Sequence, residues 1–118
     1  MARLIKRGDL WVVNLEPGFG REIHKKRPAV IISTNYFNQS TYHVIVIPCT
    51  SIVPQVITED IVPLGKVKGF KEESVLLPLL VRSIDQERLI KKIGRISKEK
   101  LLEIEDSLKL VLGMIDLN

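Results

Sequence analysis

Cysteine occurs once in this chain, at Cys49. No internal disulfide can form, and a single thiol fits a reducing compartment. The two histidines, His24 and His43, stand far apart, and Cys49 is near neither in sequence. With no C-x-x-C, no H-x-x-x-H and no acid cluster, no metal site is expected. The acidic pairs Glu59-Asp60 and Glu72-Glu73 read as surface charge. Also missing are the phosphate-cradling G-x-x-x-x-G-K-S/T, the G-x-S-x-G nucleophile elbow and the dinucleotide glycine fingerprint. The common nucleotide, ester and nicotinamide chemistries fall away with them, and no cofactor is expected. No apolar run is long enough to span a bilayer. The start, Met1 to Arg7, carries charge but no apolar segment of the signal-peptide kind. A cytoplasmic protein without a membrane role is the expectation.

What is present is one domain's worth of sequence, 118 residues that are 45% hydrophobic. The net charge is +4, and its location matters more than its size. Residues 1–27 hold seven Lys and Arg against three acids, while the remaining 91 residues carry eleven of each sign. The excess sits in the N-terminal strand region and the loop after it. A local basic excess on an otherwise neutral chain fits an anionic partner, nucleic acid first, and equally a solvated face.

The chain reads as short strands closed by one helix. Arg7-Gly8-Asp9 is a turn. Leu10 to Leu15 is a first strand rich in β-formers, its Trp11 more fit for core or groove wall than for base stacking. Glu16-Pro17-Gly18-Phe19-Gly20 breaks the chain, and a basic loop runs to Lys26, longer than most hairpin loops. Pro28 to Ser33 is a second strand whose continuous apolar run calls for cover on both faces. Thr34 to Thr41 is a loop or a helical turn. His43 to Pro48 is a third strand, ending in Cys49-Thr50-Ser51. Val56 to Leu64 contains a fourth. Ser74 to Ile84 is a fifth, with Pro78 marking an edge or bulge. Asp85 to Arg88 is a helical turn, and Leu89 to Ile96 a last strand. Ser97 caps a helix with an apolar stripe of Leu101, Ile104, Leu108, Val111, Leu112 and Ile115, and Gly113 stops it. The intervening Lys98, Glu99, Glu103, Glu105, Asp106 and Lys109 form a solvated face. The expected architecture is mainly β with helices: a small antiparallel barrel with a C-terminal α-helix, one domain over 1–118.

Candidate chemistry gathers on Arg27, at the joint of the basic loop and the second strand. Glu22 and His24 share its loop, and Thr50-Ser51 ends another strand. A guanidinium presents a rigid fork of donors to phosphate oxygens, and a threonine hydroxyl adds one more. RNA brings its own nucleophile, the 2′-OH, so an arginine–hydroxyl site needs no metal to cut it. On residue type alone Arg27 serves equally as a simple phosphate anchor, and Thr50 as a strand-end hydroxyl that satisfies the backbone.

In order and spacing the chain resembles the MazF/PemK toxins of bacterial toxin–antitoxin pairs. The pieces that carry this are Lys6-Arg7-Gly8-Asp9, the Gly20-x-Glu22 loop leading to Arg27-Pro28-Ala29-Val30, Pro48-Cys49-Thr50-Ser51, Arg82-Ser83-Ile84-Asp85 and Leu112-Gly113. The resemblance implies an SH3-like barrel and a homodimer. It implies metal-independent cleavage of single-stranded RNA by 2′-OH attack, leaving 2′,3′-cyclic phosphate and 5′-OH ends. It also implies an antitoxin whose acidic, disordered tail fills the RNA groove. By position the family's essential arginine falls on Arg27, its threonine on Thr50, its loop glutamate on Glu22 and its loop glycine on Gly20. Arg21, Lys25 and Lys26 then serve flanking phosphates, with His24, Ser51 and Arg82 as further substrate contacts. Either Glu22 or His24 would accept the 2′-OH proton. The sequence departs from the family pattern at Ile23, in His24-Lys25-Lys26 where a loop glycine is usual, and at Leu79-Leu80, where relatives carry an acid and a glutamine. Two alternatives stand beside the ribonuclease: a catalytically silent binder of RNA or protein, and a gyrase-directed toxin on a similar barrel.

Overall fold

In the computed structural model, which describes residues 3–115, β3 (His43–Thr50) is the strand on which two sheets meet. Its first half pairs antiparallel with β6 (Arg82–Asp85), from His43↔Asp85 to Val46↔Arg82. Its last two residues pair instead with β5 (Glu73–Leu76), as Cys49↔Leu76 and Thr50↔Val75. Its other edge receives β2 (Lys26–Ile31), followed by β1 (Asp9–Asn14) and β7 (Leu89–Arg95). β4 (Val62–Lys66) closes the second sheet against β5. The result is a curled, all-antiparallel half-barrel carrying a short helix α1 (Asn35–Ser40) and the C-terminal helix α2 (Lys98–Val111).

The continuous apolar runs follow from that curl. Along β2, Ala29 and Ile31 face one core with Trp11, Val13, Val44 and Val46. Val30 faces a second with Leu10, Ile47, Cys49 and Leu76. Side chains alternate across a strand, so a strand covered on both faces must be apolar at every position. Ile104 of α2 is fully buried in the second core. Trp11 is core, as expected, with the Arg3 guanidinium 5.4 Å from its ring centroid.

Several boundaries differ from the sequence reading. The second strand begins at Lys26, because β1 runs on to Asn14 and pairs Val13 with Arg27. Arg27 therefore lies within the ladder, one residue inside the sheet edge. The fourth strand is Val62–Lys66. Residues 56–60 lie outside it, where the Ile61 amide turns back to Thr58 and the Ser107 hydroxyl donates to the Glu59 carbonyl at 2.5 Å. The expected fifth strand is two, β5 and β6. Pro78 begins the 3-10 turn between them and is buried there, not set on an edge. The Asp85–Arg88 turn is also 3-10, with the Asp85 carboxylate accepting from the Glu87 amide.

The Ser97 cap holds, its hydroxyl accepting from the Lys100 amide at 3.1 Å. Gly113 stops the helix with φ +74°, which lets the Met114 amide reach back to the Lys109 carbonyl at 2.7 Å. The apolar stripe ends earlier than its period implies. Leu112 is 60% exposed and Ile115 48% exposed: Leu112 is the C-cap, where ψ near 0° already leaves the helical spiral, and Ile115 lies past the stop. Glu105, placed on the solvated face, pairs with Arg7.

Candidate functional site

The sequence at Leu15–Lys25 shapes the loop that leads into β2. The Leu15 amide donates to the Lys25 carbonyl at 2.9 Å and closes the loop's base. Glu16 then works as a clasp. One carboxylate oxygen accepts from the Lys25 amide at 2.7 Å and lies 2.6 Å from Nδ1 of His24. These contacts hold the Glu16 pKa below its ordinary value of 4.5, the His24 hydrogen bond contributing most. Lys25 takes φ +75°, a left-handed conformation that costs a non-glycine residue about 1–2 kcal/mol and persists only where surrounding bonds impose it. Gly18 passes so close beneath that a Cβ on it would sit 2.6 Å from His24 Cβ.

One residue past this turn, the Nε of Arg27 donates to the His24 carbonyl at 2.7 Å. That bond uses the inner edge of the guanidinium and leaves its terminal nitrogens free of protein partners among the described residues. Arg27 lines a groove of about 330 Å³ with Lys26, Thr50, Ser51, Phe70 and Lys71. Thr50 arrives from the end of β3, two strands from the loop. Its hydroxyl oxygen accepts from the Ile52 amide at 3.2 Å, so its proton is free to donate into the groove. Cys49 is fully buried beneath, and burial pushes its thiol pKa up to about 12.

Of the expected residues the fold thus gathers Lys26, Arg27, Thr50 and Ser51. Glu22 and Arg82 come together elsewhere, lining a second depression with Ile23, Leu79, Leu80 and Val81. The Glu22 carboxylate accepts from the Phe19 amide at 2.9 Å. Gly20, Arg21, His24 and Lys25 lie on the loop and line neither cavity. Phe70 and Lys71, from the loop between β4 and β5, escaped the sequence reading, which gave them no role, and Glu72, read there as surface charge, also lines the groove. A partly exposed aromatic beside a lysine was the available signal, since every base offers a face to stack. Among the described residues no three His, Cys, Asp or Glu side chains could hold a metal ion together, and no helix is long and apolar enough to cross a membrane.

Chemically, the groove offers a guanidinium fork, two lysines, the hydroxyls of Thr50, Ser51 and Ser74, the Glu72 carboxylate and one ring. Such a set can hold a phosphate, with the ring placed to stack a base.

The chain is similar to known proteins over nearly all of its length. The chain is 30% identical to the endoribonuclease MazF9 of Mycobacterium tuberculosis, over 94% of this chain and 98% of that protein. It is 30% identical to the endoribonuclease EndoA of Bacillus subtilis, over 96% and 98%. The crystal structure of MazF from Deinococcus radiodurans superposes with a TM-score of 0.83 at 26% identity, covering 96% of this chain and all of that one. MazF in a MazE–MazF crystal structure from the same organism superposes at 0.76, also at 26% identity, over 97% of this chain. Residues 6–112 match the family described as the PemK-like, MazF-like toxin of type II toxin–antitoxin systems, and the chain belongs to that family.

Proposed function

We propose that this protein is the toxin of a toxin–antitoxin pair and cuts single-stranded RNA without a metal. The 2′-OH attacks the adjacent phosphorus, the 5′-oxygen leaves, and the products carry 2′,3′-cyclic phosphate and 5′-OH ends. The observation that carries this reading is the convergence of Arg27 and Thr50, from two strands, on one groove. Two of the similar proteins are named endoribonucleases.

In this reading the free edge of Arg27 faces the non-bridging oxygens and stabilises the charge that builds on the phosphorane. A guanidinium is too basic to take a proton from the 2′-OH, but it can deliver one to the leaving 5′-oxygen. Thr50 donates to a second non-bridging oxygen. Lys26 and Lys71 hold flanking phosphates, Ser51 lies at the rim, and Phe70 stacks a base. The proton acceptor is Glu22 or His24. Each is tied down within the loop, to Phe19 and Glu16 respectively, so each serves only after the loop moves toward the groove. Gly20, with φ +57°, gives that loop a joint. Arg21 and Lys25 add outer phosphate contacts, and Arg82 contacts substrate in the second depression. The partners are a cognate antitoxin with an acidic, disordered tail and a second copy of the chain. The exposed Leu112, Met114 and Ile115 offer the apolar surface a subunit contact covers. The site of action is the cytoplasm.

The test is incubation of the purified protein with mixed-sequence single-stranded RNA in EDTA, beside Arg27→Ala and Thr50→Ala, with the product ends mapped. Cleavage by the wild type alone, giving cyclic-phosphate and 5′-OH ends, supports the reading. Binding without any cut supports a silent RNA binder instead. Gyrase inhibition without RNA cleavage supports the third class.

A further inference from the structure

A second basic surface lies apart from the groove. The loop joining β4 to β5 runs beside β7, and the two bound a pair of depressions that share Lys68 and Ile93. One, of about 330 Å³, adds Lys66, Arg95 and Lys100. The other, of about 220 Å³, adds Lys91 and Lys92. Among the described residues no acid lines either one. Lys92 and Arg95 pair with the buried Asp9, and Lys100 pairs with Glu103. Lys66, Lys68 and Lys91 are exposed and have no ion-pair partner among the described residues. The N-terminus of α2, capped by Ser97, opens onto the larger depression and adds positive potential from its unpaired amides.

The β4–β5 loop links this surface to the groove. Lys66 ends β4 and Lys68 follows in the β4–β5 loop, both on the basic face, and the same loop gives Phe70 and Lys71 to the groove that holds Arg27 and Thr50. A polyanion seated on Lys71 and Phe70 meets Lys68 on crossing that loop. The unpaired charges on the face are ammonium groups on flexible stems, while the Arg95 guanidinium is committed to Asp9 and the Arg7 carbonyl. Such ammonium groups contact phosphates without regard to sequence.

We propose that the face centred on Lys66, Lys68 and Lys91 is a backbone track for single-stranded RNA that extends beyond the groove. The proposal rests on the reading of the groove as an RNA site. It makes affinity grow with strand length and fall steeply with salt, because each phosphate neutralised releases a counterion. Each such contact contributes about 0.7 to the slope of log affinity against log salt.

The test uses fully 2′-O-methylated RNA, which has no 2′-OH to attack with and so cannot be cut. Strands of about 6 and about 20 nucleotides are titrated by fluorescence anisotropy against the wild type and the triple variant Lys66→Gln, Lys68→Gln, Lys91→Gln, over a range of salt. All three side chains are solvent-exposed, and circular dichroism checks the fold. For the wild type, the longer strand is expected to bind on the order of tenfold tighter. In the variant that advantage disappears, the slope for the long strand falls by about 2, and short-strand binding is unchanged. A variant that keeps both the advantage and the slope overturns the track while leaving the groove reading intact. If an acidic peptide loses affinity for the variant while long RNA does not, the face serves a protein partner and the track is overturned too. Failure of the wild type to bind either strand overturns the groove reading, and the track with it.

Discussion

The Nε of Arg27 donates to the backbone carbonyl of His24, three residues earlier, at 2.7 Å. This bond orients the guanidinium without consuming its terminal nitrogens, so the loop turn and the phosphate contact depend on one side chain. A lysine can make one of these interactions but lacks the planar fork to make both. Arg27→Lys is expected to lower kcat almost as far as Arg27→Ala, by about 10²–10³. Single-turnover cleavage of one RNA oligonucleotide measures it, and near-full activity of Arg27→Lys would reduce Arg27 to a point-charge anchor.

Thr50 uses its oxygen to receive the Ile52 amide and keeps its proton for the groove. Serine preserves both roles and valine preserves neither. Thr50→Ser is expected to retain most activity and Thr50→Val to lose about a hundredfold. Equal loss in both variants would point to packing by the threonine methyl instead.

Glu16 gives the loop an acid-sensitive clasp. Its pKa is depressed below 4.5 by His24 first and by the Lys25 amide next. A depressed carboxylate contributes fully above 4.5, and its contribution is lost as pH falls through the lowered value of the folded protein. The Lys25 amide resonance should therefore move upfield below pH 4.5. In Glu16→Gln it should stay constant through that range. NMR titration reads both, and an unmoving wild-type resonance would dissolve the clasp.

Cys49 borders the groove yet is fully buried, and its thiol pKa stands near 12. A thiol held protonated is a poor nucleophile. Iodoacetamide at neutral pH should leave it unmodified in native protein and label it in denaturant, as mass spectrometry would show. Rapid native labelling would mean that the end of β3 opens.

Ile104 is the fully buried side chain that α2 sets into the second core. Ile104→Ala removes buried methyl groups and leaves a cavity, at a cost of about 2–5 kcal/mol. Leu112→Ala, at 60% exposure, should cost far less within the monomer. Urea unfolding of the two variants compares them directly.

Much of this was legible from local chemistry. The strand periods, the Ser97 cap and the Gly113 stop are near-neighbour effects, and they place α2 to within a few residues. Arg27 and Thr50 stood out because a charged residue and a hydroxyl flank apolar runs that must be buried. The left-handed Lys25 was not legible. It is held by the carboxylate of Glu16, nine residues away, and by the Leu15 amide. Phe70 and Lys71 were missed for a similar reason, since their meaning comes from facing Thr50 and not from their own neighbours.

The split of Ser74–Ile84 into two strands shows where local reasoning stops. β5 and β6 each pair with a different half of β3, and that choice is made by the curl of the sheet, not by either strand's composition. Charge behaves the same way. The last 91 residues balance to zero along the chain, yet the fold brings Lys68 beside Lys91 and Lys92. Sequence alone determined which segments must be buried, where the final helix starts and stops, and which side-chain types suit a phosphate, because these follow from side-chain type and short-range spacing. Tertiary structure decided which of those residues share a groove and where charge accumulates, because pairing between distant strands sets distances that no local pattern encodes.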